Sequence, residues 1–416
     1  MHRIKQSPTV RDHGVLFVCM MTGNALNFLY HFIMGRMLGP EGFGVFTTLF
    51  SIYYLLYAMV VTLQGSMAKT VAELTAHNNS VAIPSAVAAS IRKVSKLTIV
   101  VLIPLLAATP WILPFLQVPL IPWLIVVASI LPLMLLPLVR GRLQGEQKFL
   151  GLGISFIVEG ITKTIIGIGL VLWGFHVTGA IIGVALSLLT PFIVLGLPFA
   201  VSTAHAARLQ LRTAIPFLAA NIVTTAAYAV DTMILNARFS PSISGLYAGI
   251  ALFGKILLFA SVSFPQVVIA QASHLHAQQL STRDTIRKPL ILTILIASSA
   301  TIIYSLIGEL VLTTILGTAY SSQGIYMIPI AIYFGSLGIT TLILQYSCAI
   351  EEYYRITIIY LAFATEITVL VLAPSNLASI TWGLAITHLC SAIALCATLF
   401  IPEKSMLQQS KQTTKS

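Results

Sequence analysis

The chain has 416 residues, of which 57% are hydrophobic and only 8% charged, with a net charge of +11. A soluble domain carries about 25% charged residues, so a chain this poor in charge cannot cover a water-facing surface. Apolar segments of about 20 residues recur from end to end, each enough to cross a ~30 Å hydrocarbon core, which excludes the short alternating strands of a β-barrel.

In chain order the sequence predicts twelve transmembrane helices: 14–36, 43–68, 96–116, 120–140, 151–173, 178–201, 213–236, 243–270, 289–315, 321–345, 354–373 and 378–401. The first lacks a small-residue cleavage site and is expected to stay in the membrane as its own signal. Pro104, Pro110, Pro114, Pro132 and Pro137 fall in spans three and four. Proline frees a backbone carbonyl, so these helices should kink and pack against protein. The stretches 69–95 and 271–288 are expected to be the longest cytoplasmic loops. Trp111, Trp123, Trp173 and Trp382 fall at predicted outer ends, as interfacial anchors do.

The positive-inside rule sets the orientation. With the N-terminus in the cytoplasm, nineteen of the 23 basic residues lie inside, Arg140, Arg142, Lys148 and Arg355 among them. Arg36 and Arg238 lie outside, and Lys163 and Lys255 lie within spans. Both termini are therefore expected in the cytoplasm of a multi-pass cell (inner) membrane protein. The net charge reflects this loop bias and gives no reason to expect a nucleic-acid partner. Cys19, Cys348, Cys390 and Cys396 all fall in apolar runs, and no disulfide, metal site or cofactor is expected.

Shifted by 201 residues, the chain matches itself. "LGPEGFGVF" (38–46) falls on "FSPSISGLY" (239–247), pairing Pro40 with Pro241, Gly44 with Gly245 and Phe46 with Tyr247. Each stretch joins an odd span to an even one. The pattern predicts two parallel six-helix lobes, 1–207 and 208–416, an architecture typical of secondary transporters. It also aligns a polar stripe: Asn24, Asn27 and His31 share one helical face and become Thr225, Tyr228 and Thr232. Such a stripe either faces a cavity or joins helices by hydrogen bonds.

Charges inside the spans are the sharpest functional signal. Glu159 and Lys163 stand four residues apart in span five, in the order favoured for an ion pair. Asp231, Lys255 and Glu366 lie in spans seven, eight and eleven, and Arg36 ends span one. Lys163, Lys255 and Arg36 suit phosphate oxygens. Glu159, Asp231 and Glu366 suit a coupling proton or Na⁺. Alternatively Glu159 and Lys163 neutralise each other and Arg36 snorkels to the surface. No Walker A loop and no large catalytic loop is present, so no enzyme activity is expected.

The segments "MGRMLGPEGFGVF" (34–46), "VRGRLQGEQKF" (139–149) and "AVDTMILNARFSPSISGLYAGIALFGKIL" (229–257) together resemble the polysaccharide transport branch of the multidrug/oligosaccharidyl-lipid/polysaccharide (MOP) exporter superfamily. The resemblance implies an all-α, MATE-like fold of two six-helix lobes around a cavity. It implies a flippase that moves a lipid-linked oligosaccharide, sugars on an isoprenoid pyrophosphate, from the inner to the outer leaflet for polysaccharide biosynthesis. Transport would be ion-coupled alternating access, in contact with membrane lipids and with other polysaccharide-assembly proteins. On this resemblance Arg36, Lys163 and Lys255 become headgroup contacts, and Asn24, Asn27, His31, Tyr228 and Asp231 line the cavity. Carboxylates at least as numerous as cations leave the superfamily's cation-coupled multidrug branch as the alternative.

Overall fold

The computed structural model describes residues 10–77, 79–195, 215–261, 268–269, 271–273, 275–276, 278–374 and 376–400. The predicted termini, the end of span six, the first residues of span seven and much of the end of span eight lie outside them. The chain divides into two compact units, Met1–Ile215 and Pro216–Ser416. Among the described residues all regular structure is helical.

The first unit opens with α1 (Val10–Ala76), whose backbone breaks at Gly39, φ 63° and ψ 178°. Only glycine occupies that region readily, and Pro40 fits the first position of the helix that follows. The break is a hairpin. His31 and Phe50 would stand about 28 Å apart along a straight helix at 1.5 Å per residue. Their ring centroids are 4.5 Å apart. The first arm, 10–38, therefore lies back along the second, 40–76.

Then come α2 (Ile83–Ala107), α3 (Thr109–Leu116), α4 (Leu120–Gly145), α5 (Phe149–Leu170), α6 (His176–Ser187) and α7 (Thr190–Leu195). The bend of 68° between α2 and α3 follows Pro104, whose carbonyl takes the Ala108 N–H at 2.8 Å. A second hairpin turns at Gly174, φ 88°. There α5 and α6 meet so closely that a Cβ on Gly183 would lie 2.6 Å from the Cα of Gly167.

The second unit holds α8 (Ile215–Arg238), α9 (Pro241–Ser261), α10 (Arg283–Leu316), α11 (Met327–Ala349), α12 (Ile356–Leu372) and α13 (Leu377–Thr398). Helices α8 and α9 form the hairpin equivalent to the arms of α1. Arg238 at the end of α8 donates to the carbonyls of Leu370 and Ala373, both at 2.8 Å, and so caps the C-terminal end of α12.

Turn chemistry repeats between the units. Gln117 and Gly317 follow α3 and α10 with φ of 51° and 103°. Gln147 and Glu351 follow α4 and α11 with φ of 59° and 61°. Each of the latter two sits inside the same six-residue cap. Lys148 N–H reaches Leu143 O at 2.8 Å, and Glu352 N–H reaches Ser347 O at 2.9 Å. The two caps stand 204 residues apart, close to the offset of 201 at the hairpins.

Among the described residues nine segments are long and apolar enough to cross a membrane, or ten if α2 and α3 form one bent span. Other expectations are corrected. The loop expected at 69–95 is almost wholly helical, because α1 runs to Ala76 and α2 starts at Ile83. Its lysines and arginines resemble loop charge in the sequence, yet a helix can carry them on an outer face. The expected loop after Arg36 shrinks to Gly39 alone. Trp123 is 2% exposed and donates to Thr109 Oγ1 at 3.0 Å, so it is a packed residue and not an interfacial anchor.

Candidate functional site

In the first unit the site begins with a line of glycines on α5. Gly153, Gly160 and Gly167 recur every seven residues and so face one way. A Cβ at these positions would lie 2.7 Å from Cys19, 2.9 Å from Leu26 and 2.6 Å from Tyr30, all on the first arm of α1. The two backbones are thereby drawn together. Lys163, one turn on from Gly160, is 5% exposed and donates its Nζ proton to the side-chain oxygen of Asn27. Its ammonium lies 5.6 Å from the Tyr30 ring centroid and 5.9 Å from that of Phe50, within cation–π range. Tyr30 is itself fixed by donation to Ala180 O at 2.6 Å. His31 is buried, its ring set edge-on to Phe50.

The expected Glu159–Lys163 ion pair does not form. Glu159 Oε2 lies 2.7 Å from Arg140 on α4. Arg140 also donates to Ser155 Oγ at 3.0 Å and Ser155 O at 3.1 Å, and its guanidinium stacks on Phe156 at 4.0 Å. The expectation for Arg140 is a surface charge setting topology, but it is 7% exposed. Planar guanidinium geometry suits this four-way contact, and a carboxylate nineteen residues away satisfies it. Arg355 follows the same pattern in the second unit. It is 2% exposed, lies 2.8 Å from Glu352 and donates to Ser347 and Thr398.

Among the described residues of the second unit two carboxylates are fully buried. Asp231 on α8 accepts from the Tyr247 hydroxyl at 2.7 Å and the Thr232 hydroxyl at 3.1 Å. The pair Asp231 and Tyr247 stands 201 residues beyond Tyr30 and Phe46, whose rings touch at 5.9 Å across the first hairpin. The same hairpin contact is thus apolar in one unit and acidic in the other. Glu366 on α12 lies between α11 and α13. Its Oε1 is 3.2 Å from the Tyr333 hydroxyl, which also lies 3.0 Å from Ala227 O. Its Oε2 is 3.0 Å from His388 Nε2. Both Glu366 and His388 are 0% exposed.

Of the remaining sequence candidates, Lys255 is 6% exposed on α9 and interacts electrostatically with Asp231. Tyr228 is buried against the Phe259 ring at 5.8 Å. Asn24 and Arg36 are exposed on the first arm of α1. The structure therefore joins Asn27 with Lys163, and joins Asp231 electrostatically with Glu366 and with Lys255. It leaves Asn24 and Arg36 outside these clusters. Sequence reasoning missed Arg140, Tyr247, Tyr333 and His388. A histidine inside a span was the one available signal for the last of these.

These two charged clusters, embedded in apolar helical units, have a clear family context. Residues 9–269 match the family described as polysaccharide biosynthesis protein. The chain belongs to that family, within the MOP superfamily. Among solved structures it is similar to a multidrug resistance MATE family transporter of the MOP superfamily in its inward-facing conformation. That likeness has a TM-score of 0.75 at 10% identity, over 97% of this chain and 99% of the other. The outward-facing conformation of such a transporter gives a TM-score of 0.65 at 11% identity, over 93% and 94%. A mutant of the Vibrio cholerae MATE transporter VcmN gives 0.67 at 14%, over 94% and 96%. At these identities the likeness establishes the fold. No curated protein matches the chain. It is a MATE-fold, multi-pass membrane transporter of the MOP type.

Proposed function

We propose that this transporter moves a lipid-linked oligosaccharide from the cytoplasmic to the outer leaflet of the cell membrane, by ion-coupled alternating access. The observation that carries the reading is Lys163. It is a buried cation whose hydrogen bond goes to a neutral amide, because Arg140 has taken Glu159. A buried charge without a salt bridge is costly and is retained where function uses it. A pyrophosphate headgroup is the matching counter-charge, and family membership supports that substrate class. Arg36, Asn24, Asn27 and His31 are the further headgroup contacts proposed in the first unit, and Lys255 and Tyr228 those proposed in the second.

On this reading each of the two long segments, Val18–Ala76 and Phe149–Leu195, crosses the membrane twice by its hairpin. That brings ten spans to twelve, with both termini in the cytoplasm. The recurring caps support two parallel-repeat lobes of six helices. Lys163 and Glu366 stand 203 residues apart, near the repeat offset. The first lobe then carries Lys163 for the headgroup, and the second carries Asp231 and Glu366 for a coupling proton or Na⁺ beside its own headgroup cation, Lys255.

The test uses proteoliposomes loaded with a fluorescent isoprenoid-pyrophosphate sugar, followed by its protection from an external modifying reagent. Gradient-dependent translocation that is lost in Lys163→Ala, with the protein still folded, is the expected result. The two buried carboxylates favour a second reading, a cation-coupled multidrug exporter. Movement of a cationic dye without movement of the lipid would select it.

A further inference from the structure

The hairpin of α1 has a register. His31 lies against Phe50 at 4.5 Å, so equal steps along the two antiparallel arms set Asn27 opposite Tyr54 and Asn24 opposite Tyr57. Contacts with α5 and α4 fix the same level independently. A Cβ on Gly23 would lie 3.1 Å from Phe156, and the Arg140 guanidinium stands 4.0 Å from the centroid of the Phe156 ring. Arg140 in turn interacts electrostatically with Tyr57. Asn24, Tyr57, Arg140 and Glu159 therefore gather at one level of the first unit. That level is one helical turn, about 5.4 Å, from Lys163 and Asn27.

Two of these groups are open. Tyr57 is 46% exposed, and its hydroxyl makes no hydrogen bond among the described residues. Glu159, with a side chain 23% exposed, gives Oε2 to Arg140, and its Oε1 has no donor among the described residues. Asn24 is exposed beside them. Two turns on from Tyr57, Gln64 donates to Gln144 at 3.0 Å, and this pair too is exposed. Polar groups within spans are not turned to hydrocarbon, which offers them no partner. This face is one that water or a hydroxyl-rich ligand covers.

We infer that Tyr57 and Glu159 form a sugar subsite, which takes the sugar next to the pyrophosphate at Lys163. It rests on the flippase reading for that neighbouring headgroup. An open aromatic ring packs against the apolar C–H face of a pyranose while its hydroxyl stays wet. The free Glu159 oxygen accepts from sugar hydroxyls, and the Arg140 contact fixes its direction. Asn24 supplies both a donor and an acceptor. Charge sets the class of sugar. A uronic acid would bring its carboxylate against Glu159, with Arg140 already held by Glu159 and Ser155 and Lys163 held by the pyrophosphate. The subsite takes a neutral or N-acetylated sugar and rejects an acidic one.

The test uses full-length protein in nanodiscs and three lipids with the same fluorescent isoprenoid: pyrophosphate alone, pyrophosphate with one neutral hexose, and pyrophosphate with one uronic acid. Affinities are read by anisotropy, and the contribution of the sugar is the ratio of hexosyl to bare affinity. That ratio should be about ten in wild type, fall to about one in Tyr57→Ala and be kept in Tyr57→Phe. The uronyl lipid should bind about tenfold or more weaker than the hexosyl lipid and recover in Glu159→Gln, which keeps an acceptor for Arg140. A wild-type ratio near one, or a ratio unchanged in Tyr57→Ala, overturns the subsite. Equal binding of the hexosyl and uronyl lipids overturns its choice of sugar. If no pyrophosphate lipid binds, the flippase reading fails, and a fluorescent alkyl hexoside without phosphate then decides the subsite. Hexoside binding that weakens in Tyr57→Ala keeps it, and absent or unchanged binding overturns it.

Discussion

Arg140 and Glu159 are bound to each other at 2.7 Å, and that contact decides what Lys163 can do. Arginine reaches the carboxylate from α4, so the lysine one turn along α5 bonds a neutral amide instead. Breaking the contact should be expensive. Removing one partner of a buried pair costs about 3–5 kcal/mol, whereas replacing both with apolar groups is often neutral. Glu159 is partly exposed, which places Arg140→Leu near the lower end. The double variant Arg140→Leu with Glu159→Leu should recover most of that loss. Thermal unfolding in detergent measures both, and equal losses in single and double variants would show that the Ser155 contacts matter more than the pair.

Asn27→Asp tests the neutral partner of Lys163. The substitution keeps the side-chain shape and the hydrogen bond but places a carboxylate against the ammonium. Stability should hold or rise, because the buried charge gains a counter-ion. Translocation of a pyrophosphate-linked lipid should fall about tenfold or more, since about 1.4 kcal/mol of lost headgroup attraction is already a factor of ten. Undiminished transport in a folded Asn27→Asp protein would remove Lys163 from the headgroup path.

The sequence made some of this legible for physical reasons and hid the rest. Hydropathy marks helices because the bilayer demands about 20 apolar residues at a time. The turn at Pro40 was visible because its Pro/Gly pattern recurs 201 residues on, at Pro241 and Gly245. Family resemblance was visible in three short segments. Arg140 misleads because it stands at the predicted end of a span, where a basic residue normally marks the cytoplasmic face. Its carboxylate partner is nineteen residues away, beyond the i, i+4 spacing that a single helix reveals. Tyr333 and Tyr247 look like core aromatics, since only tertiary contact sets their hydroxyls against carboxylates. The extension of helix through 69–95 was hidden for a similar reason: loop charge and the charge on a helix end look alike in one dimension.

Gly183 offers a direct test of the second hairpin. A methyl there would meet Gly167 Cα at 2.6 Å and Gly167 N at 2.7 Å, and backbone atoms cannot swing aside. Helices α5 and α6 must part, so Gly183→Ala should cost about 1–3 kcal/mol. At Gly169, in the same helix as Gly167, an added methyl would meet nothing within 4 Å. Gly169→Ala should be neutral, or stabilising by up to about 1 kcal/mol through helix propensity. Comparable unfolding temperatures for the two variants would contradict the close approach of α5 and α6.

Glu146, between α4 and α5, gives a pH dependence with a definite sign. Burial pushes its pKa up, but hydrogen bonds and charge from Lys148 and Arg142 outweigh burial and hold it below the ordinary glutamate value. The contacts measure 2.6 Å to Lys148 and 2.9 Å to Arg142. A carboxyl with a lowered folded-state pKa binds protons less readily than the unfolded chain does. Its stabilisation is therefore complete above about pH 4.3, the unfolded value, and disappears as pH falls through the lower folded-state value. Because Lys148 is largely exposed, the contribution should be under about 1 kcal/mol. Wild type should exceed Glu146→Gln in unfolding temperature at pH 7 and converge with it in acid. A gap that widened on acidification would mean that the carboxylate is destabilising, and that the turn between α4 and α5 is held by its backbone cap alone.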